Sequence, residues 1–282
     1  MSDYDTVLYE VDDRVATVTL NRPEKRNALN FPLRQDIVAT LRRAEADGDV
    51  SLVLLMGAGP SFCAGYDLKI PDFAEAQKAH TGWVGDPRLE HWTDQFARGA
   101  VRDWMNLWDL LKPVVVQVHG NCLAGGLELM SMADIAFVAD DARLGYPPLR
   151  GFSSPDVPIF PWKMTMAQAK YIQLTGNSIT GTLAAEWGWV AKSFPADELE
   201  HEVGRELHVL RNIDPAVLAA NKMAVNQAYE EMGLRTHLQQ SWVWHHLSNE
   251  NRTKASGGTS QDATIRDSLA WVNQAADEVG LL

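Results

Sequence analysis

Two glycine-bearing segments carry the residues of this sequence that are best suited to chemistry at a carbonyl group. They are residues 61–69 and 119–129, and each follows an apolar run of the β type. Glycine has no Cβ, so both segments can present bare backbone N–H groups to one carbonyl oxygen. Two such donors stabilise the negative charge that develops on that oxygen, and losing one costs about 3 to 4 kcal/mol of activation free energy. The sequence therefore predicts oxyanion or enolate chemistry.

The second segment also carries a carboxylate. A helix is predicted to begin at Gly125, and Glu128 lies in its first turn. The free N–H groups and the positive dipole at the start of a helix favour an anion there. Glu128 can face the same side as the Gly125 amide and move a proton at the carbon next to the carbonyl. The alternative is that Glu128 only complements the helix dipole.

The elements that must position these residues alternate between strands and helices in the first part of the chain. Strands are predicted at residues 7–11, 15–20, 52–56, 114–118 and 135–138, and helices at residues 100–111 and 125–132 and around Leu33, Ile37 and Leu41. Residues 70–98 lack periodicity and are predicted to form a long loop with at most one helical turn, of the kind that often covers or binds a ligand. Residues 21–25 are predicted to form a shorter loop.

The chain is predicted to be mostly helical after Pro155. The predicted helices are residues 165–174, 183–189, 198–210, 215–232, 234–247 and 264–279, with a flexible connector at residues 254–260. A length of 282 residues suits one large α/β domain, or a core of about 200 residues with a helical appendage.

Charge and cysteine content exclude several classes of protein. The net charge of −12 argues against nucleic acid or an anionic membrane as the main partner, because both need a basic surface. The two cysteines, Cys63 and Cys122, lie in apolar or glycine-rich runs, so a secreted disulfide framework is not expected. No signal peptide and no apolar run of membrane length are recognised, so a cytoplasmic location is expected.

Three spaced motifs resemble those of the crotonase (enoyl-CoA hydratase/isomerase) family. They are NRPEKRNAL at residues 21–29, SFCAGYDL at residues 61–68, and the run from Lys112 to Leu129 that ends in GGLEL. The resemblance covers roughly residues 6–200. It implies an α/β fold in which residues 1–200 form a spiral of ββα units and residues 201–282 form a helical trimerisation region.

The resemblance also implies a substrate and an assembly. The substrate would be an acyl-CoA thioester, and the protein would form a homotrimer or a dimer of trimers. No cofactor and no metal would be needed beyond the coenzyme A of the substrate. Neither nucleic acid nor a membrane is expected as a partner.

Site residues follow from the resemblance position by position. The oxyanion donors would be the backbone amides of Tyr66 and Gly125. The phosphates and pantetheine of coenzyme A would lie near Lys25, Arg26 and Ala28. The rest of the substrate site would be lined by Ala64, Asp67, Leu68, Gly126 and Tyr146.

Two carboxylates are candidates for proton transfer. Glu128 matches the first of the two glutamates that hold the attacking water in hydratases of this family, whereas Pro148 stands where the second is expected. Asp156 falls where some divergent relatives, including dienoyl-CoA isomerases and a chlorobenzoyl-CoA dehalogenase, carry a catalytic aspartate. A Glu128–Asp156 pair with separated pKa values would restore an acid and a base. The alternative is that Asp156 serves an Asx turn or a helix cap.

The tryptophans allow two interpretations. Trp83, Trp92, Trp104 and Trp108 lie in or beside the segment that lines the acyl pocket in the family. They indicate either core and subunit-interface packing or a wide apolar pocket for a bulky or cyclic acyl group. His119, at the end of an apolar strand, is predicted to be a hydrogen-bonded core histidine.

These observations predict an enzyme that forms an enolate-like species on an acyl-CoA, with Glu128 as the main proton-transfer group. Hydration or double-bond isomerisation of an enoyl-CoA, in the catabolism of lipids or of aromatic or alicyclic acids, is the leading expectation. One alternative is a C–C bond hydrolase or lyase, of the retro-Claisen or ring-opening type, on a bulky acyl-CoA. Another, from a different class, is a non-catalytic acyl-CoA-binding subunit.

Overall fold

Two β-sheets organise the structure, a computed structural model that describes residues 4–69, 73–81, 95–150, 154–255, 274 and 278. The described strands are β1 (Val7–Asp12), β2 (Val15–Leu20), β3 (Leu52–Gly57), β4 (Val114–Val118), β5 (Asn121–Leu123), β6 (Ile135–Ala139), β7 (Arg143–Gly145), β8 (Ser178–Thr180) and β9 (Lys192–Phe194). The larger sheet has the order β1-β2-β3-β4-β6-β9, and the smaller has the order β5-β7-β8.

The larger sheet is mainly parallel. β1 and β2 form an antiparallel hairpin, and every later neighbour in this sheet pairs in parallel. Every residue of β4 is buried, as expected for a parallel strand that is covered on both faces. β4 is followed by β5, which brings the chain to the second glycine-bearing segment.

The described helices surround these sheets. They are α1 (Phe31–Ala46), α2 (Phe73–Thr81), α3 (Gln95–Asp109), α4 (Gly125–Met132), α5 (Met166–Thr175), α6 (Gly181–Glu186), α7 (Leu199–Leu210), α8 (Pro215–Glu231), α9 (Leu234–Gln240) and α10 (Trp242–Ala255). Side chains cap several of their first turns, such as Asn30 before α1 and Asp214 before α8. The mixed α/β fold predicted from the sequence is confirmed.

Helix α4 is buried along its whole length. Its sequence, GGLELMSM, is apolar except for Glu128 and Ser131, and all eight of its residues are buried. A helix of this kind lies in the interior of a fold. Its bounds agree with the helix predicted at residues 125–132, so Glu128 is carried on a rigid, fully enclosed element.

The prediction of a loop at residues 70–98 is wrong in part. Residues 73–81 form α2, and α3 already begins at Gln95. Contacts with neighbouring elements stabilise α2: His80 stacks on Phe31 of α1, and its Nε2 lies 2.9 Å from Oδ2 of Asp103 on α3. Such tertiary support is not visible in local periodicity. Residues 82–94, with Trp83 and Trp92, lie outside the described residues.

Other differences concern the second half of the chain. The helix predicted at residues 234–247 is two helices, α9 and α10, separated by Ser241, and α10 continues into the predicted connector at residues 254–260. The short strands β8 and β9 were not predicted, because three-residue strands leave no periodic signal. The predicted loop at residues 21–25 contains a 3-10 turn, Pro23–Lys25. The helix predicted at residues 264–279 lies almost entirely outside the described residues, and the division at residue 200 stays a prediction.

Candidate active site

The two glycine-bearing segments lie against each other. The Leu123 amide donates to the Cys63 carbonyl at 2.9 Å. A Cβ placed on Gly65 would lie 2.7 Å from the Cβ of Ala124 and 3.5 Å from the Gly125 nitrogen. Only glycine fits at position 65, both for this close approach and because its φ is +102°. The start of α4 and the loop after β3 therefore form one continuous surface.

A strained turn leads into α4. Ala124, its N-cap, has φ 50° and ψ −121°, a conformation that residues with a Cβ rarely adopt. The Ala124 amide donates to the Gly145 carbonyl at 3.0 Å, which holds the turn in place. Backbone strain of this kind costs about 1 to 3 kcal/mol and is concentrated at functional sites. Among the described residues, neither the Tyr66 amide nor the Gly125 amide donates to a protein acceptor.

The loop that carries the predicted coenzyme A residues is hydrogen-bonded along the first glycine-bearing segment. The Ala64 amide donates to the Arg26 carbonyl at 2.9 Å, the Leu29 amide to the Gly65 carbonyl at 2.8 Å, and the Asp67 amide to the Leu29 carbonyl at 3.0 Å. The ladder brings together the backbones of the two motifs that carry most of the predicted substrate-binding residues.

Side chains reinforce this ladder. Asn27 is fully buried, and its Nδ2 donates to the carbonyls of Ala58 and Ser61, each at 2.9 Å. Arg22 pairs with Asp67 at 3.1 Å and also donates to the Ala28 carbonyl. The Asp67 carboxylate is thus occupied by a protein cation. In contrast, Lys25, Arg26 and Leu68 are exposed at this edge.

Glu128 is the centre of a buried polar cluster. It is fully buried, and the Tyr66 hydroxyl donates to its Oε2 at 2.8 Å. The Asp156 backbone amide donates to Oε1 at 2.9 Å, and the Tyr146 hydroxyl and the Val157 amide also hydrogen-bond to this carboxyl. Burial, followed by the nearby Asp156 carboxylate, raises the pKa of Glu128 to about 8, whereas these hydrogen bonds oppose the rise.

Asp156 lies in the same cluster, so the structure brings the two candidate carboxylates together. It is buried in the bend that follows the 3-10 turn Pro147–Arg150. Its Oδ1 lies 3.2 Å from Nε2 of His245 on α10. Two carboxyl groups in one buried cluster, each with different partners, have the arrangement that separates the protonation states of an acid and a base.

The cluster includes three groups whose contribution was not predicted: the Tyr66 phenol, Trp104 and His245. Trp104 on α3 is fully buried and donates through Nε1 to the Tyr66 hydroxyl at 3.2 Å. No spacing in the sequence connects these residues with Glu128 or Asp156, because each comes from a different element. Tyr146, predicted to bind substrate, lies in the cluster as well, with 1% of its surface exposed.

Gly126 has a packing reason to be glycine. A Cβ at this position would lie 2.6 Å from the Cβ and 2.8 Å from the carbonyl oxygen of Cys63. Cys63 and Cys122 are both buried and free, and burial raises the pKa of both thiols. His119 has Nε2 2.7 Å from the Gly59 carbonyl oxygen, so it is hydrogen-bonded as predicted, but it is only half-buried and does not belong to the core.

Both described tryptophans of the predicted acyl-pocket group belong to the core. Trp104 and Trp108 are buried on α3, and Trp108 donates to Glu230 at 2.9 Å.

Within the described part of the chain, no group of three or more histidine, cysteine or acidic side chains is suited to hold a metal ion. The described helices include none with the length and apolar character needed to cross a bilayer.

Comparison with known proteins places this geometry in a family. The family model for enoyl-CoA hydratase/isomerase matches residues 10–261. The chain is 31% identical over 275 residues to the hydroxycinnamoyl-CoA hydratase-lyase of Pseudomonas fluorescens, covering 93% of both chains. It is 31% identical over 237 residues to the 2,3-dehydroadipyl-CoA hydratase of Escherichia coli, covering 80% of this chain and 84% of that protein.

A solved structure gives the same result for the fold. The crystal structure of an enoyl-CoA hydratase from Mycobacterium smegmatis superimposes with a TM-score of 0.83 at 30% identity, covering 99% of this chain and 97% of that one. The similarity therefore includes both the sheet region and the C-terminal helices.

Proposed function

The chain belongs to the enoyl-CoA hydratase/isomerase family, and from that premise we propose that it converts an enoyl-CoA by hydration or double-bond isomerisation through a thioester enolate. The observation that carries the proposal is the buried carboxyl pair: the Asp156 amide donates to Glu128 Oε1 at 2.9 Å, and both side chains are buried. In hydration, such a pair can donate one proton to the α-carbon and accept another from the water that adds to the β-carbon; in isomerisation, it can take a proton from one carbon and return one to another.

The thioester oxygen would be held by the amides of Tyr66 and Gly125. Support comes from the contact between their two segments and from the absence of an acceptor for either amide among the described residues. The dipole of α4 adds to the stabilisation of negative charge at Gly125. Preorganised amides of this type stabilise the enolate without rearrangement during the reaction.

The two carboxyl groups would divide the proton transfers. Burial and the Asp156 carboxylate raise the pKa of Glu128 to about 8, so Glu128 carries a proton near neutral pH. Asp156 has His245 beside it, a partner that favours its ionised form when the imidazole is protonated. Glu128 would then act as the acid and Asp156 as the base, with the roles exchanged in the reverse direction. Pro148 takes no part in this scheme.

Exchange of the substrate α-proton in heavy water tests the proposal. The wild-type protein is expected to incorporate deuterium into a panel of enoyl-CoA and acyl-CoA thioesters. Glu128→Gln should slow the exchange by about 10² to 10⁴, the range typical of a lost proton-transfer group. Asp156→Asn should also slow turnover.

A matched variant controls for the loss of a glutamate. Glu206→Gln removes a carboxylate that pairs with Lys192 on the surface, so it should exchange as the wild type does. Exchange at the wild-type rate by Glu128→Gln would exclude Glu128 from the mechanism. Wild-type turnover by Asp156→Asn would exclude Asp156.

Cleavage of a C–C bond is the second candidate. It is supported by the 31% identity to a hydroxycinnamoyl-CoA hydratase-lyase over 93% of both chains. Mass spectrometry of the products separates the candidates. Hydration adds the mass of water and isomerisation changes no mass, whereas lyase chemistry shortens the carbon skeleton and ring hydrolysis opens it. Tight binding without exchange would indicate a non-catalytic acyl-CoA-binding subunit.

The remaining expectations stay proposals. Exposed Lys25 and Arg26 would contact the coenzyme A phosphates, and Ala28, Ala64 and Leu68 would line the rest of that edge. Assembly as a homotrimer or a dimer of trimers is supported by large apolar side chains that are exposed on α8 and α10, including Val217, Val225, Trp244 and Leu247. A cytoplasmic location and the independence from any added cofactor remain predictions.

A further inference from the structure

The Tyr66 side chain connects the proposed oxyanion site with the Glu128 carboxyl. Its ring lies against the start of α4, because a Cβ at Gly125 would meet three Tyr66 ring atoms at 2.6 to 2.8 Å. Its hydroxyl then reaches Glu128, donating to Oε2 at 2.8 Å. A single residue thus contributes its amide to the proposed oxyanion site and its phenol to the carboxylate that would transfer protons.

Trp104 fixes the direction of the hydrogen bond between Tyr66 and Glu128. An indole N–H can only donate, so the Tyr66 oxygen must accept from Nε1 of Trp104 at 3.2 Å. The phenol proton is then directed to Glu128. Since Trp104 is fully buried on α3, its N–H has no alternative in solvent. Hydrogen bonds in such a chain also strengthen one another.

Both oxygens of the Glu128 carboxyl are consequently held before substrate binds. The Tyr66 phenol holds Oε2 from the loop after β3, and the Asp156 amide holds Oε1 from the bend after β7. Two donors on different oxygens prevent rotation of the carboxyl plane about its terminal torsion, which is otherwise broad for glutamate. Positioning to within a fraction of an ångström is what proton transfer requires.

We propose that the Tyr66 phenol is a positioning residue for Glu128: together with Trp104 it holds the carboxyl in the orientation used for proton transfer. The inference rests on the proposed function, in which Glu128 transfers protons. It assigns the Tyr66 side chain a role that is separate from that of its backbone amide.

The charged and titratable groups around Glu128 define what loss of the phenol should do. Glu128 is faced by Tyr66, Tyr146 and Asp156, and His245 from α10 lies behind Asp156. Tyr66 is faced in turn by Arg34 from α1, whose partner Asp103 on α3 also contacts His80 on α2. The Arg34 guanidinium carbon lies 5.6 Å from the centre of the Tyr66 ring. Burial and Asp156 raise the pKa of Glu128, whereas the bond from Tyr66 lowers it. Removing the phenol should therefore raise that pKa further.

Tyr66→Phe tests the proposal, because it keeps both the ring on Gly125 and the backbone amide. Its kcat is expected to fall about threefold to tenfold, the equivalent of one hydrogen bond between neutral groups, while KM changes little. The limb of the pH profile that belongs to Glu128 should move to higher pH. Tyr171→Phe, which removes a surface hydroxyl bonded to Asn177, is the matched control and should behave as the wild type does.

A direct titration separates this proposal from the function on which it rests. Glutamate labelled with ¹³C at the side-chain carboxyl is titrated by NMR, and the Glu128 signal is identified by its loss in Glu128→Gln. The midpoint for Glu128 should be higher in Tyr66→Phe than in the wild type, whether or not an active substrate has been found. If Tyr66→Phe does not fold, Trp104→Phe should give a smaller shift in the same direction, since it removes the donor behind the phenol.

An unchanged Glu128 midpoint and an unchanged kcat in folded Tyr66→Phe would overturn the proposal. A raised KM with unchanged kcat would also overturn it, because Tyr66 would then be only a wall of the acyl pocket. A third outcome would overturn the proposed function instead. The Glu128 midpoint would shift in Tyr66→Phe, which supports the contact, but Glu128→Gln would retain full α-proton exchange.

Discussion

At the scale of single residues, the site depends on backbone geometry as much as on side chains. Ala124 holds a conformation that favours glycine, and the turn it makes immediately precedes the Gly125 amide at the start of α4. Gly65 and Gly125 are glycines because the Ala124 methyl group and the Tyr66 ring occupy the space that their Cβ atoms would need. The positions of the amides therefore depend on close packing between Gly65 and Ala124 and between Gly125 and the Tyr66 ring.

The strain at Ala124 should be measurable. Ala124→Gly is expected to raise the free energy of unfolding by about 1 kcal/mol, because relief of the positive φ exceeds the added flexibility of glycine in the unfolded chain. Urea denaturation measures the change. Ala133→Gly, at the other end of α4 where φ is −73°, is the matched control and should lower stability. A destabilised Ala124→Gly variant would show that the turn is not strained.

At the scale of elements, the junction between α9 and α10 holds the loop that carries Asp156. His245 on α10 faces the Asp156 carboxylate, with Nε2 3.2 Å from Oδ1. Ser241 at the junction lies beside the same residue, with its Oγ 3.4 Å from the Asp156 carbonyl oxygen, while its hydroxyl donates to the Leu238 carbonyl at 2.7 Å. His237 on α9 lies 3.1 Å from the Pro158 carbonyl. Helices from the C-terminal part of the chain thus contact a carboxylate of the proposed site.

His245→Ala is expected to reduce both turnover and stability, because it removes a partner from a buried carboxylate. A stability loss of about 1 to 3 kcal/mol is typical when one partner of a buried polar contact is removed. If His245 acts through Asp156, the double variant with Asp156→Asn should be no less active than Asp156→Asn alone. His246→Ala, the next residue on α10, serves as the control. Additive losses of activity in the double variant would show that His245 acts independently of Asp156.

At the scale of the whole molecule, the buried carboxyl cluster makes stability depend on pH. The pKa of Glu128 is 4.5 in an unperturbed state and about 8 in the folded protein. Between these values the folded state keeps a proton that the unfolded chain has released. The contribution of Glu128 to stability is therefore complete below pH 4.5 and is lost as the pH rises through about 8.

The comparison of wild type with Glu128→Gln isolates this effect. Glutamine cannot ionise, so the stability of the wild type relative to the variant should fall as the pH rises from about 5 to about 8. Urea denaturation at several pH values gives the difference, and Glu206→Gln should follow the wild type throughout. The pKa of Asp134 is also raised by burial, but Asp134 is present in all three proteins, so its contribution to the pH dependence cancels in the comparison. A difference that stays constant or grows with pH would contradict the assigned protonation of Glu128.

Local physics explains why much of this protein could be predicted from its sequence. The strand β4 and the helix α4 agree with the predicted residues 114–118 and 125–132, because hydrogen bonding within a helix and burial of an apolar strand leave local patterns. The motifs indicated the family and the carboxylate Glu128. Because Pro148 stands where the second glutamate is expected, Asp156 was the remaining candidate for its partner.

Tertiary structure alone decided what surrounds those carboxylates. The phenol of Tyr66, the indole of Trp104 and the imidazole of His245 come from three different elements, and nothing in their spacing marks them. The full length of helix α2 exceeds the single turn predicted there for the same reason, since its stability depends on contacts with α1 and α3. The sequence determined which groups could do the chemistry, because residue type and local periodicity are encoded in it. Which of them meet, and with which hydrogen-bond direction and protonation, depends on long-range packing that arises only when the chain folds.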